Sequence, residues 1–108
     1  MTKNQIICKH ECSIFFEYSL DENIIYELGQ KGWCCAQLVV SKKVICPLTF
    51  YDPIRLQQDF EAEIECGNHY LFVPNIIVIP EINISNMKSA VESLFQSGEL
   101  DHLLGGEL

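Results

Sequence analysis

The residues best able to do chemistry stand near the amino terminus, where the sequence reads CKHEC at residues 8–12. Thiolates and imidazoles are donors that zinc prefers, and a later turn could add two more ligands. Four donors from the two segments would complete a structural zinc site, so Zn is the cofactor of this alternative. The candidate metal-binding residues are Cys8, His10, Cys12, Cys66 and His69.

The same amino-terminal residues also fit a purely structural interpretation. Cys8, His10 and Cys12 share the parity of an alternating apolar pattern that continues to Leu20, and such alternation is typical of a half-buried strand. Free cysteine is among the most frequently buried residue types. We therefore expect these side chains to fill the core without a cofactor, and a Cys/His metal-binding or thiol redox protein remains the alternative.

A cysteine beside a histidine could instead act as a nucleophile with its base. His10, His69 and His102 are the available bases, but no known nucleophile motif surrounds any of the six cysteines. The chain also lacks a Gly-rich phosphate loop and a His-Glu-x-x-His motif. A small enzyme with a Cys/His pair therefore stays open as an alternative, and no catalytic residue is assigned.

Four acidic residues are spaced to share a helix: Asp59 and Glu63 are four apart, as are Glu61 and Glu65. Like charges at this spacing cost a helix about 0.2–0.5 kcal/mol per pair, and the helix dipole disfavours acids near the carboxyl end. A solvated helix face explains the pattern. The functional alternative is an acidic surface that docks a basic protein partner.

A short series of strands and helices must position these residues. The helix that carries the four acids has Asp52 as its N-cap and an apolar stripe of Leu56, Phe60 and Ile64. In order, the pattern predicts a strand within 6–20 that bends near 11–13, a helix ended by Gly29 and Gly32, strands at 33–40 and 44–51, a helix at 52–66, strands at 70–73 and 76–79, and a helix from Asn83 or Ser85 to Gly98.

This order predicts an α+β fold, a ferredoxin-like βαββαβ sandwich with an extra C-terminal helix. Pro47 is the main objection, because the third strand is central in that topology and proline cannot donate to a sheet. The alternative is a mixed α/β open sheet with three helices and the 44–51 strand at its edge. Residues 1–98 are expected to form a single domain and residues 99–108 a short tail.

Composition and net charge disfavour several classes of function. The 108-residue chain carries a formal net charge of −8, which disfavours nucleic acid and anionic membrane surfaces as partners. No secretory signal is visible, and no segment has the length of a transmembrane helix, so a cytoplasmic protein is expected. Hydrophobic residues make up 48% of the sequence, which predicts a folded domain.

The leading functional hypothesis is a non-catalytic protein-interaction or oligomerisation domain. So many apolar residues on a short chain exceed what one small core is expected to cover. A sheet with one open face commonly closes against a copy of itself, so a homo-oligomer is predicted.

Overall fold

The computed structural model describes residues 4–99, so most of the predicted tail and His102 lie outside the described residues. Within this range the chain forms five strands and three helices. They are β1 (Gln5–Ile7), β2 (Cys12–Phe15), α1 (Glu22–Lys31), β3 (Trp33–Val40), β4 (Lys43–Tyr51), α2 (Pro53–Glu65), β5 (Ile76–Val78) and α3 (Ile84–Gln96).

The strands form one mixed sheet in the order β1-β2-β3-β4-β5. The first three pairs are antiparallel, and β4 and β5 are parallel. The α+β class and the three helices are therefore confirmed. The ferredoxin-like topology is not confirmed, because the strands lie side by side in sequence order, the first predicted strand is two strands, and residues 70–73 form no strand.

The amino-terminal segment is a β-hairpin, which corrects the prediction of one bent strand. Cys8 N donates to Cys12 O at 2.9 Å, and the turn between them places His10 and Glu11 at positive φ. Ile7 pairs with Ser13, which sets Cys8 opposite Cys12. The even-numbered residues therefore face inward on both strands. The alternation therefore runs through the turn without a break, which is why it suggested a single strand.

Pro47 lies where its missing N–H costs no ladder hydrogen bond. Thr49 N donates to Asn75 O at 3.3 Å, and Pro47 O accepts from Asn75 Nδ2 at 3.0 Å, so the backbone of both residues faces the β5 side. β5 pairs only with residues 49–51. β4 is thus an inner strand at its carboxyl end and an edge strand around Pro47, so neither the predicted central strand nor the alternative of an edge strand holds over its whole length.

The helix boundaries follow from their caps. Asp21 Oδ1 accepts from Ile24 N at 2.9 Å and caps the start of α1. Gly32 ends α1 with φ of 80°, and a Cβ there would lie 2.8 Å from both Arg55 Cβ and Asp52 Oδ2. Only glycine suits this junction, because it needs a left-handed backbone and close approach by the next helix.

The core lies between one face of the sheet and helices α1 and α3. Phe16, Phe50 and Leu38 are fully buried on the sheet side, and Met87 and Val91 are buried on α3. Ala90, Leu94 and Phe95 of α3 are partly buried and pack against this cluster. Helix α2 lies on the opposite face of the sheet and has no buried residue.

Candidate protein-interaction site

An apolar groove of about 790 Å³ lies between α2 and the segment of residues 69–78. We call it the α2 groove. Its apolar lining combines α2, the connection that follows α2 and the outer side of β5. The principal lining residues are Leu56 and Phe60 of α2, Tyr70 and Phe72 of the connection, and Ile76 and Val78 of β5.

The groove is open to solvent rather than enclosed. Phe72 is 76% exposed and Tyr70 is 66% exposed, while Phe60 and Ile64 of α2 are each more than 40% exposed. Side chains of this size gain about 1.5–3 kcal/mol each when they are fully buried. The apolar stripe predicted on α2 therefore exists, but the described part of the chain leaves Phe60 and Ile64 almost half exposed.

Polar contacts of Arg55 and Asp59 attach α2 to the sheet. Tyr51 OH donates to Asp59 Oδ2 at 2.6 Å, and Arg55 Nε donates to Asp59 Oδ1 at 2.8 Å. The Arg55 guanidinium also lies 5.8 Å from the centre of the Trp33 ring, a cation–π distance. Neither Arg55 nor Asp59 lines the groove, so these contacts leave it open.

The same contacts shift two pKa values. Burial and the hydrogen bond to Asp59 raise the pKa of Tyr51 to about 12. Burial pushes the pKa of Asp59 upwards, but hydrogen bonds from Tyr51 and Arg55, with the guanidinium charge, outweigh it and hold the pKa below its ordinary value. Asp59 is therefore a structural carboxylate of the α2 attachment.

The four predicted partner-binding acids do not share one face. With 3.6 residues per turn, Glu61 and Glu65 lie on one side of the apolar stripe, and Asp59 and Glu63 lie on the other. Glu63 accepts from Asn68 Nδ2 at 2.7 Å and Glu61 accepts from Gln57 Nε2 at 3.1 Å. Glu61 and Glu65 are exposed, and Glu61 contacts Gln57 of the groove lining, so we call these two residues the acidic border. Asp59 is instead bound to Tyr51 and Arg55.

The two amino-terminal cysteines are core residues. Cys8 is 8% exposed and Cys12 is 2% exposed. Burial raises the pKa of both thiols, and that of Cys8 reaches about 12 because the neighbouring Cys12 and Glu92 add to the effect. The Cys12 Sγ donates to Lys9 O at 3.0 Å. The prediction that these thiols fill the core is confirmed.

The other predicted metal ligands lie elsewhere. His10 is exposed at the hairpin turn and stacks on Phe95 with a ring separation of 5.4 Å, so its predicted inward position is wrong. Cys66 caps the carboxyl end of α2, and His69 lines the α2 groove. The hairpin and the chain that leads into β5 belong to opposite edges of the sheet. Within residues 4–99, no three His, Cys, Asp or Glu side chains are grouped to hold a metal ion.

The buried thiols have partners other than histidine. Cys34 Sγ lies 3.6 Å from Met87 Sδ, and Cys8 Sγ lies 3.8 Å from Ile6 O. Burial raises the pKa of Cys34 to about 12, which opposes formation of the nucleophilic thiolate. The structure therefore gives these thiols the environment of packing residues.

Sequence reasoning missed the contribution of Tyr70 and Phe72 to the groove. The apolar segment 70–73 suggested a buried strand, although its four residues stand between breakers at Gly67-Asn68 and Pro74-Asn75. Gly67 and Asn75 both adopt positive φ, so the backbone reverses on each side of the segment. A short aromatic segment between two such breakers therefore indicates an exposed connection rather than a strand.

None of the helices in residues 4–99 combines the length and apolar character required to cross a membrane. Comparisons of the chain with protein-family models, curated proteins and solved structures find no match.

Proposed function

We propose that this chain is a non-catalytic protein-interaction domain whose contact surface is the α2 groove. The observation that carries the proposal is the exposure of α2, because this 13-residue amphipathic helix has no fully buried residue. Its apolar stripe continues into exposed Tyr70 and Phe72. Continuous exposed apolar surface on a small domain commonly marks a site of association.

The lining suits a protein partner better than a small molecule. Small-molecule sites enclose most of their ligand, whereas Tyr70 and Phe72 stand largely in solvent. Exposed aromatic side chains are frequent anchors of protein interfaces, because they bury a large apolar area for little loss of conformational freedom. A partner that covers the two rings would supply the apolar contacts that α2 lacks.

The experiment is a peptide-display selection against the purified protein. Enriched peptides should bind the wild type and lose at least tenfold in affinity for Phe60→Ala and Phe72→Ala. Tyr26→Ala is the matched control, because Tyr26 is 68% exposed on α1, outside the groove. Selected peptides that bind all three variants as tightly as the wild type would contradict the proposal.

The sequence predicts that the chain associates with copies of itself. The uncovered part of the sheet supports it, since Ile7 is 64% exposed on β1 and Val44 is 64% exposed on β4. A cytoplasmic location belongs to the same proposal and rests on composition. Light scattering during size-exclusion chromatography tests the oligomer, and a monomer at high micromolar concentration would contradict it.

A further inference from the structure

Beside its apolar stripe, α2 presents the exposed carboxylates of the acidic border. Glu61 and Glu65 lie along one side of the apolar stripe, and on the other side Asp59 is paired with the cation of α2, Arg55, at 2.8 Å. No lysine or arginine lines the groove in the described part of the chain. A docked segment would therefore lie on an apolar floor with the acidic border along one edge.

This charge pattern disfavours a second copy of the chain as the occupant. In a twofold dimer through the α2 groove, the same surface would meet itself and bring the acidic borders of both copies together. Each copy also carries a formal net charge of −8. Like charges that face each other across an interface oppose association, so a partner with basic borders fits better.

The shape of the exposed surface favours a helical occupant. Leu56, Phe60 and Ile64 are spaced four residues apart, so they form a straight ridge along α2. A helix of 13 residues is about 20 Å long, enough for three to four turns of a partner helix to lie beside it. Tyr70 and Phe72 provide further apolar contacts for such a helix.

We infer that the α2 groove binds an amphipathic helix of another protein whose apolar face is bordered by lysine or arginine. This inference rests on the proposed function and specifies its partner. The apolar face of the partner would contact Phe60 and Phe72, and its basic borders would meet Glu61 and Glu65. Such helix-in-groove binding uses anchors at positions i, i+4 and i+7 of the partner.

The test compares two displayed libraries built on one helical template. Both randomise apolar residues at the three anchor positions, and the borders are Lys/Arg in one library and Glu in the other. We expect enriched binders from the basic library, with affinities at least tenfold higher than the best acidic-border peptides. Their binding should weaken at least fivefold between 50 and 500 mM NaCl, because the contact is partly electrostatic.

Variants then locate the contact. Phe60→Ala should reduce affinity for the basic-border binders at least tenfold, and Glu61→Gln with Glu65→Gln should reduce it about threefold or more. The control is Glu22→Gln with Glu27→Gln, which makes the same change in net charge at exposed positions of α1. Circular dichroism confirms that each variant is folded. Equal losses in the two double variants would overturn the inference, because net charge alone would then explain the binding.

The remaining outcomes separate the inference from the proposed function. Acidic-border peptides that bind as well as basic ones, with both weakened by Phe60→Ala, would overturn the inference and leave the proposed function intact. A wild-type homodimer that dissociates in the Phe60→Ala variant would also overturn the inference and leave the proposed function intact. The occupant of the groove would then be a second copy of the chain. Binders from both libraries that ignore Phe60→Ala and Phe72→Ala would overturn both.

Discussion

The two faces of the sheet are covered in different ways. On one face, α1 and α3 bury a continuous apolar cluster in which Phe50, Leu38 and Met87 have essentially no exposed surface. On the other face, α2 is attached through Tyr51, Asp59 and Arg55, and its apolar stripe stays in contact with solvent. The first face is buried within the chain, and the second leaves apolar side chains of α2 partly exposed.

Helices α3 and α2, which have equal length, differ in burial in the same way. Both have 13 residues, an N-cap side chain that accepts a backbone hydrogen bond, and one apolar side. α3 has Met87 and Val91 buried, whereas no residue of α2 is fully buried. Amphipathicity thus shows that a helix has an apolar side, but not that the same chain covers it.

The largest expected contrast is in thiol reactivity across β3. Cys34 faces the core with a pKa raised from 9.0 to about 12, so its thiolate fraction at pH 8 is about a thousandfold below that of an ordinary thiol. Cys35, its neighbour, is exposed on the other face. We expect iodoacetamide at pH 8 to modify Cys35 at least a hundredfold faster, as measured by tandem mass spectrometry.

Unfolding in urea provides the control for this experiment, because it should make the two cysteines react at similar rates. Comparable labelling of Cys34 and Cys35 in the native protein would mean that the two faces of β3 are equally accessible. The comparison between the faces would then fail.

Replacing one apolar side chain on each helix by alanine tests how much each helix contributes to stability. Met87→Ala removes a fully buried side chain from α3 and should lower the free energy of unfolding by about 2–5 kcal/mol. Ile64→Ala on α2, where Ile64 is 47% exposed, should lower it by less than about 1 kcal/mol. Urea titration followed by circular dichroism measures both. Equal losses would show that α2 contributes as much apolar burial as α3.

Removal of one hydroxyl tests the polar attachment of α2. Tyr51→Phe deletes the donor of the 2.6 Å hydrogen bond to Asp59 and should cost about 1.5 kcal/mol, because the acceptor is a carboxylate. Tyr26→Phe is the control at a residue 68% exposed on α1, and it should leave stability almost unchanged. The same urea titration applies. A neutral Tyr51→Phe substitution would mean that this hydrogen bond does not hold α2.

The smallest expected effect is the contribution of Asp59 to acid stability. Its folded pKa lies below the ordinary value of 3.8, so its stabilising contribution is present above about pH 4 and is lost as pH falls through the folded pKa. Free energies of unfolding measured between about pH 6 and pH 2 should therefore fall less steeply for Asp59→Asn than for the wild type. Tyr51→Phe should also flatten the curve, since Tyr51 supplies one of the hydrogen bonds. Identical slopes in all three proteins would contradict this assignment.

The sequence determined the helices and the inward residues well. The caps and apolar spacing of α2 and α3 depend on residues three or four apart, and the structure confirms Asp52 and Asn83 as N-caps. The inward positions of Cys8 and Cys12 followed from the alternating pattern, although that pattern could not reveal the turn between them. Signals of this kind are local, so they can be recognised without the rest of the fold.

Only the tertiary structure decided the strand order, the separation of the predicted metal ligands and the exposure of the groove. Cys66 and His69 could join the amino-terminal segment only if the sheet brought them together, and it places the two segments at opposite edges. Tyr70 and Phe72 are as apolar as core residues, yet no described element covers them. These outcomes depend on which surfaces meet across the whole chain, and residue spacing contains no measure of such distances.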